Sequence, residues 1–252
     1  MNSSIRNFFV PWLTLALAAC GARPPVPQLD LAQSPPPVAA EFRTTVESAR
    51  GSKSSAQWRF WRSHDRIERE NPVAQSGDLW VRDDRTLFHT RLYHADRRGI
   101  EYRSEDLQIL NAAPDWVALA TLLDPRLIGA LRERESGWRE AYPYRRYTGS
   151  IGEVAWDITV RTDQMLPPRI ERRSADRQVE TVELLRSFEF GRSPWQPVAS
   201  ADYDILDYAD LGDRMTRMVV GFTYKGEPVR ADAIQAVGAM QVLLRDAVHP
   251  NL

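Results

Sequence analysis

The chain has 252 residues, a formal net charge of -1, 43% hydrophobic and 27% charged residues, and one cysteine. A near-neutral total removes the electrostatic case for a nucleic-acid partner, and a single thiol removes the disulfide staples that small secreted domains rely on. After the first twenty residues no apolar run approaches the length of a membrane span.

The first element is a leader. A polar start bearing Arg6 is followed by an apolar stretch from Phe8 to Ala18, broken only by Pro11 and Thr14. It is too short to cross a bilayer and has the pattern of a signal peptide over residues 1–19. Its end, Leu17, Ala18, Ala19 and Cys20, resembles the lipobox of bacterial lipoproteins, in which the leader is cut before the cysteine and the thiol is acylated. The resemblance implies a mature chain that starts at Cys20 and carries its only prosthetic group, a covalent lipid, on that residue. It also implies anchoring through that lipid, with Gly21 and Ala22 directing the protein to the periplasmic face of the outer membrane. Several acyl chains hold firmly, because each buried methylene contributes about 0.8 kcal/mol. The alternative is an ordinary leader, or a buried helix, that ends in a cysteine.

Residues 20–37 contain the run "GARPPVPQLDLAQSPPP" and are expected to form a Pro-rich tether. Fully extended, it would reach roughly 50 Å at about 3.1 Å per residue, standing the body off from the membrane. The body spans 38–197. Its opening, "VAAEFRTTVESAR", is expected to be a short helix with Phe42, Val46 and Ala49 on one side.

Strands are expected next. "QWRFWRSHDRIERE" puts Trp58 and Phe60 on one face and Arg59 and Trp61 on the other, and "GDLWVRDDRTLFHTRLYHADRRGIEY" suggests two strands about a turn at Asp83 and Asp84. In "GEVAWDITVRT" the alternation is cleanest: Val154, Trp156, Ile158 and Val160 face one way, Asp157, Thr159 and Arg161 the other. "PPRIERRSADRQVETVELLRSFEF" is expected to be a hairpin turning near Ala175 and Asp176. One apolar and one polar face per strand fits an antiparallel sheet covered on one side.

The cover is expected from "AAPDWVALATLLDPRLIGALRER". Trp116, Leu119, Leu122 and Leu123 fall on one helical side, and Asp124 with Pro125 supplies the cap and first-turn proline of a second short helix carrying Leu127, Ile128 and Leu131. The pair either fills a plain α+β core or faces a ligand cavity.

An opening segment, strands carrying "RIERE" and "GDLWVRDDRTLF", an apolar "LLDPRLIGAL" helical stretch and a late "LPPRIERRSADRQVETVELLRSFEF" hairpin resemble, from about Ala40 to Phe190, the LolA/LolB superfamily of periplasmic lipoprotein carriers. The lipid-sensing stress regulator RseB belongs to the same group. What the resemblance implies is an α+β fold, a curved and incompletely closed antiparallel sheet, or half-barrel, whose concave face is covered by helices and shelters acyl chains. It offers no match to the leucine-tipped loop of the membrane-anchored receptor.

Residues 198–252 fall outside that resemblance. Asp202, Asp204, Asp207, Asp210 and Asp213 lack the alternation, mid-loop glycine and closing glutamate of a calcium loop, so a solvated or ion-paired surface is expected rather than a metal site. "RMVVGFTY" suggests a further strand, and Val229, Ala233, Val237, Met240 and Leu244 the stripe of a terminal helix packed on the same body.

Catalytic patterns are sparse. His89 and His94 lie on opposite strand faces, no serine sits in a nucleophile elbow, and the acids of "RIERE" and "RERE" sit beside arginines, suggesting surface pairing. A non-enzymatic protein is therefore expected, with no metal. Two functions fit. In one, an acyl chain, lipid or lipoprotein ligand is bound in an apolar pocket of Trp58, Phe60, Trp156 and Ile158 from strands and Trp116, Leu119, Leu122 and Leu123 from the helix. In the other, the helices fill the concavity and the chain works by its surface, as a structural or regulatory partner in an envelope protein complex.

Overall fold

A computed structural model describes residues 23–140 and 142–210. The leader, Cys20, the strand expected over 217–224 and the terminal helix stripe lie outside the described residues.

The chain first runs as a meander of six antiparallel strands: β1 (Val38–Glu47), β2 (Lys53–Arg62), β3 (Arg66–Asn71), β4 (Ser76–Asp83), β5 (Thr86–Tyr93) and β6 (Arg98–Tyr102). Three six-residue helices follow, α1 (Ser104–Ile109), α2 (Trp116–Thr121) and α3 (Pro125–Ala130). A second meander comprises β7 (Arg132–Arg139), β8 (Tyr142–Ile151), β9 (Val154–Arg161), β10 (Leu166–Arg173) and β11 (Val179–Glu189), and a short β12 (Asp204–Asp207) ends the described chain. The strand order is β12-β6-β5-β4-β3-β2-β1-β11-β10-β9-β8-β7, so β1 joins the two meanders by pairing with both β2 and β11. Among the described strands only the β12–β6 pair is parallel.

Two long connections cross this sheet on opposite faces. The 103–131 crossing carries the helices. Val38 and Phe42 of β1, Trp80 of β4, Tyr147 of β8 and Val182 of β11 share one apolar cluster with Leu119 and Leu123 of the helix segment. A flat sheet could not bring strands so far apart onto six-residue helices, so this face is concave. Twelve-stranded open sheets also exceed the size at which twist forces curling. The edges β12 and β7 stay unpaired with one another, which leaves an open half-barrel with helices on its inner face.

The second crossing, residues 191–203, straps the convex face. Seven strand spacings of about 4.8 Å need roughly 34 Å, within the extended reach of the segment at about 3.3 Å per residue. Trp195 lies between the guanidiniums of Arg59 and Arg186, each 5.1 Å from its ring centroid, and meets Phe188 edge-on. Tyr203 reaches His94 Nδ1 at 3.1 Å, and Ile205 sits over Gly99, where a Cβ would come within 2.6 Å of its Cδ1.

Several expectations change. Val38–Glu47 is a strand and not a helix: Phe42 and Val46 fit helical spacing equally well, but the β-branched Thr44, Thr45 and Val46 pair with both neighbours along the length of the strand. The "GDLWVRDDRTLFHTRLYHADRRGIEY" stretch forms three strands rather than two, with the first turn at Asp84 and Arg85, one residue later than expected. Helix α1 had no counterpart in the sequence reading. The acids of "RIERE" pair with arginines as expected, Glu68 with Arg66 at 2.6 Å and Glu70 with Arg59 at 3.7 Å, but not on an exposed surface: both are buried on the convex face, where burial raises both carboxyls, and Arg69 is buried on the concave face. Residues 24–31 do not stand clear of the sheet. Trp138 Nε1 donates to the Pro24 carbonyl at 2.9 Å, Arg145 Nε donates to that of Pro27 at 2.9 Å, and Leu29 and Leu31 pack on the core. Prolines keep the segment extended but leave its carbonyls free to accept.

Candidate functional site

The strand residues expected on one inner face lie there. Ala40 pairs with Phe60 and Phe42 with Trp58, and Tyr147 pairs with Ile158, which in turn pairs with Ile170; these residues point inward. Phe42 stacks on Trp58 with centroids 4.6 Å apart, and Trp58 Nε1 donates to Thr44 Oγ1 at 3.0 Å, so the indole meets the core with its polar atom satisfied. From the opposite half of the sheet come Trp156 and Ile158. All belong to the cluster that includes Leu119, Leu122 and Leu123; Trp116 packs at its edge under the Arg82 guanidinium, 4.6 Å from the ring centroid.

Local chemistry holds the helices in place. Asp115 caps α2 by accepting from Ala118 N, and Asp124 caps α3 by accepting from Arg126 N at 2.7 Å, with Pro125 in its first turn. Between them Leu122 takes a left-handed conformation, φ 60, while 4% exposed, which ends α2 and turns both Leu122 and Leu123 inward. At the far end Gly149 of β8 admits Leu131, whose Cδ2 would stand 2.9 Å from a Cβ there.

One cation fastens the helix segment to the sheet. Arg62, fully buried on the inner face of β2, donates through Nε and Nη2 to the Pro36 carbonyl, through Nη2 to that of Gln164 at 2.7 Å, and through Nη1 to that of Ala120. Burial pulls its pKa down to about 9, still cationic at neutral pH. Its partners are uncharged main-chain oxygens from three separate segments.

Toward the β12 edge the inner face changes character. Arg69 pairs with Phe60 and Asp78, and Asp78 with Arg91, so one row across four strands runs from phenyl to guanidinium, carboxylate and guanidinium. His89 Nε2 donates to Asp78 Oδ1 at 2.9 Å and Arg91 Nη1 to Oδ2 at 2.7 Å. Burial opposes ionisation of Asp78, but the His89 hydrogen bond and the charges of His89, Arg91 and Arg69 hold it well below the usual carboxylate range. In the next row Trp80, His89, Tyr102 and Tyr208 stack in succession, with centroids 3.8, 5.4 and 4.9 Å apart. His94 leaves β5 on the convex side, so the two histidines do not meet. At the opposite end Glu180 faces Arg172 at 3.8 Å, and burial pushes its carboxyl up to about 7.

Of the eight apolar residues named from the sequence, seven are buried in one cluster and Trp116 packs against it, while sequence reasoning missed the buried Arg62, Arg69, Asp78 and the inward Arg91. Charges on strands read as surface pairs; the available signal was an inward-pointing apolar residue two positions away on the same face, Phe60 for Arg62, Ile67 for Arg69 and Trp80 for Asp78. Of the acidic series, Asp202 pairs with Arg97 at 3.1 Å and Asp207 with Arg103 at 2.8 Å, as expected of an ion-paired surface; Asp213 lies outside the described residues. No group of three metal-ligating side chains occurs among the described residues.

Comparison with known proteins gives two separate likenesses. The family Formate--tetrahydrofolate ligase matches residues 205–252, from β12 onward, beyond the strands that line the concave face. A ligase of that name from Methylobacillus flagellatus is 58% identical over 43 residues, and the match covers 17% of this chain and 8% of the ligase. Among solved structures, MucB is 14% identical with a TM-score of 0.41, covering 70% of this chain and 62% of that one. A LolA superfamily protein from Nitrosomonas europaea is 10% identical with a TM-score of 0.26, covering 62% and 86%.

Proposed function

We propose that the chain is a periplasmic lipoprotein, anchored by lipid on Cys20, that takes up an acyl chain or other amphiphile between its concave sheet face and helices α2 and α3. The observation that carries this reading is the make-up of that contact: the surfaces meeting there are aromatic and aliphatic on both sides, and among the described residues Arg62 ties the sheet to α2 by hydrogen bonding while Arg82 covers Trp116 at the edge. Short helices seated on a concave apolar face can be displaced by another apolar body of similar width, and an acyl chain asks for no hydrogen-bonding partner. Selectivity is then set by width and depth. Membrane attachment would keep the site near a supply of such chains.

The test is binding of a fluorescent fatty acid to the full chain carrying Cys20→Ser, against the same chain with Leu119→Glu. Micromolar binding that the added carboxylate abolishes in a folded variant supports the reading, because a desolvated ionised carboxylate costs several kcal/mol. An unmodified parent that takes up no amphiphile overturns it. Anchoring is tested separately by fractionating cells that express Cys20→Ser, which should release the protein from the membrane.

A second reading has its own support: Leu119, Leu122 and Leu123, at 3%, 4% and 1% exposure, already fill the concave face. On that reading the chain is an anchored partner in an envelope complex, and native mass spectrometry of protein taken from its own membrane should find a protein partner and no lipid.

A further inference from the structure

Arg69 is the inner-face residue whose hydrogen bonding is least complete. Its side chain is buried, with the residue 5% exposed, yet neither Nε nor Nη2 has a hydrogen-bond partner among the described residues. These two nitrogens share one edge of the guanidinium, the edge whose parallel N–H bonds grip a carboxylate or phosphate with two oxygens at once. Asp78, the adjacent acid, has both oxygens engaged by His89 and Arg91. One carboxylate thus stands against two guanidiniums. On the neighbouring strand and in the next row, Trp80 Nε1 is a further buried donor with no acceptor among the described residues. Buried donors without acceptors are uncommon, and an unsatisfied buried cation is costlier still. Along the same row, the strand next to Arg69 carries Phe60 of the apolar cluster.

We propose that the Arg69 edge is an oxyanion site that holds the carboxylate or phosphate head of an amphiphile whose chain lies over Phe60 and the β1–β2 end of the concave face. The inference rests on the amphiphile reading above and adds a polarity to it: the head lies over β3–β5 and the tail runs across the strands toward the helices. Asp78, held between His89 and Arg91, fixes the charge excess in place and leaves Arg69 to the ligand.

Calorimetric titration of the full chain with dodecanoate, dodecanol and acetate, at a pH where the carboxyl is ionised, separates this proposal from the reading it rests on. Dodecanoate should bind at least tenfold more tightly than dodecanol, acetate should bind too weakly to detect at millimolar concentration, and Arg69→Met should reduce the preference to under twofold while dodecanol binding persists. Arg69→Lys, which keeps the charge but loses the paired edge, should retain part of the preference. If dodecanoate and dodecanol bind the unmodified chain equally, the oxyanion site is overturned while the amphiphile reading stands; that comparison needs no variant, so a misfolded Arg69→Met does not blunt it. If neither binds, both fail. A dodecanoate preference that survives Arg69→Met in a folded protein moves the site elsewhere and overturns the assignment. Acetate that binds as tightly as dodecanoate makes this a site for free anions and overturns the head-group role.

Discussion

Along the row Ala40, Phe60, Arg69, Asp78 and Arg91 the register runs unbroken from β1 to β5, yet the two ends of the concave face are held by different physics. Over β1, β2 and β8–β11 the face is mainly apolar, with Arg62 and the Glu180–Arg172 pair as buried exceptions, and the helices cover it, so most of its stability is spread over many weak contacts and a lost methyl group is felt in proportion. Over β3–β5 a few charges are buried together, and each is tolerable only while its partner remains. The first end tolerates change by degrees. The second is all or none, which suits a site where an external anion completes the set.

The sharpest test of that contrast is Asp78→Ala, which strands Arg91, Arg69 and His89 together. It should cost about 3–5 kcal/mol, the range for breaking a buried ion pair from one side, and urea unfolding of the full chain measures it. A cost under about 1 kcal/mol, the level of an exposed pair, would erase the distinction. Next in size is Leu123→Ala in the apolar end, expected to cost about 3 kcal/mol by the same measurement. If a double variant with Asp78→Ala departs from additivity, the two ends are coupled through Phe60 and are not separate regions.

Glu180 offers a smaller, pH-dependent effect. Its folded pKa, about 7, lies above the ordinary carboxylate value, so the folded state binds the extra proton between roughly pH 4.5 and 7 and stability falls as pH rises through that window. Glu180→Gln should flatten this slope and raise stability at alkaline pH by about 1–2 kcal/mol, read from thermal melts across pH; an unchanged slope places the titration elsewhere. The smallest effect belongs to the outer face. Arg146 pairs with Asp157 in the open, and Arg146→Ala should cost no more than about 1 kcal/mol, diminishing with added salt.

The inward placement of the eight named apolar residues was legible because burial acts on them one at a time: alternation in "VAWDITV" puts Trp156 and Ile158 on one face wherever the strand goes, and Asp124-Pro125 starts a helix by local geometry alone. β1 was not legible, since its strand form is imposed by β2 and by β11, more than a hundred residues away. The helical spacing of Phe42 and Val46 is a local signal that this pairing overrides.

The sequence by itself determined the alternation of the strands, the caps of α2 and α3 and the apolar identity of the covered face, because each follows from neighbours a few residues apart. Only the tertiary structure decided that Arg62 fastens three segments and that Arg69, Asp78, His89 and Arg91 share one buried cluster. Those charges read singly as surface residues; curvature and the pairing register place them inside, where the low dielectric makes their mutual arrangement, and not their individual polarity, the quantity that matters.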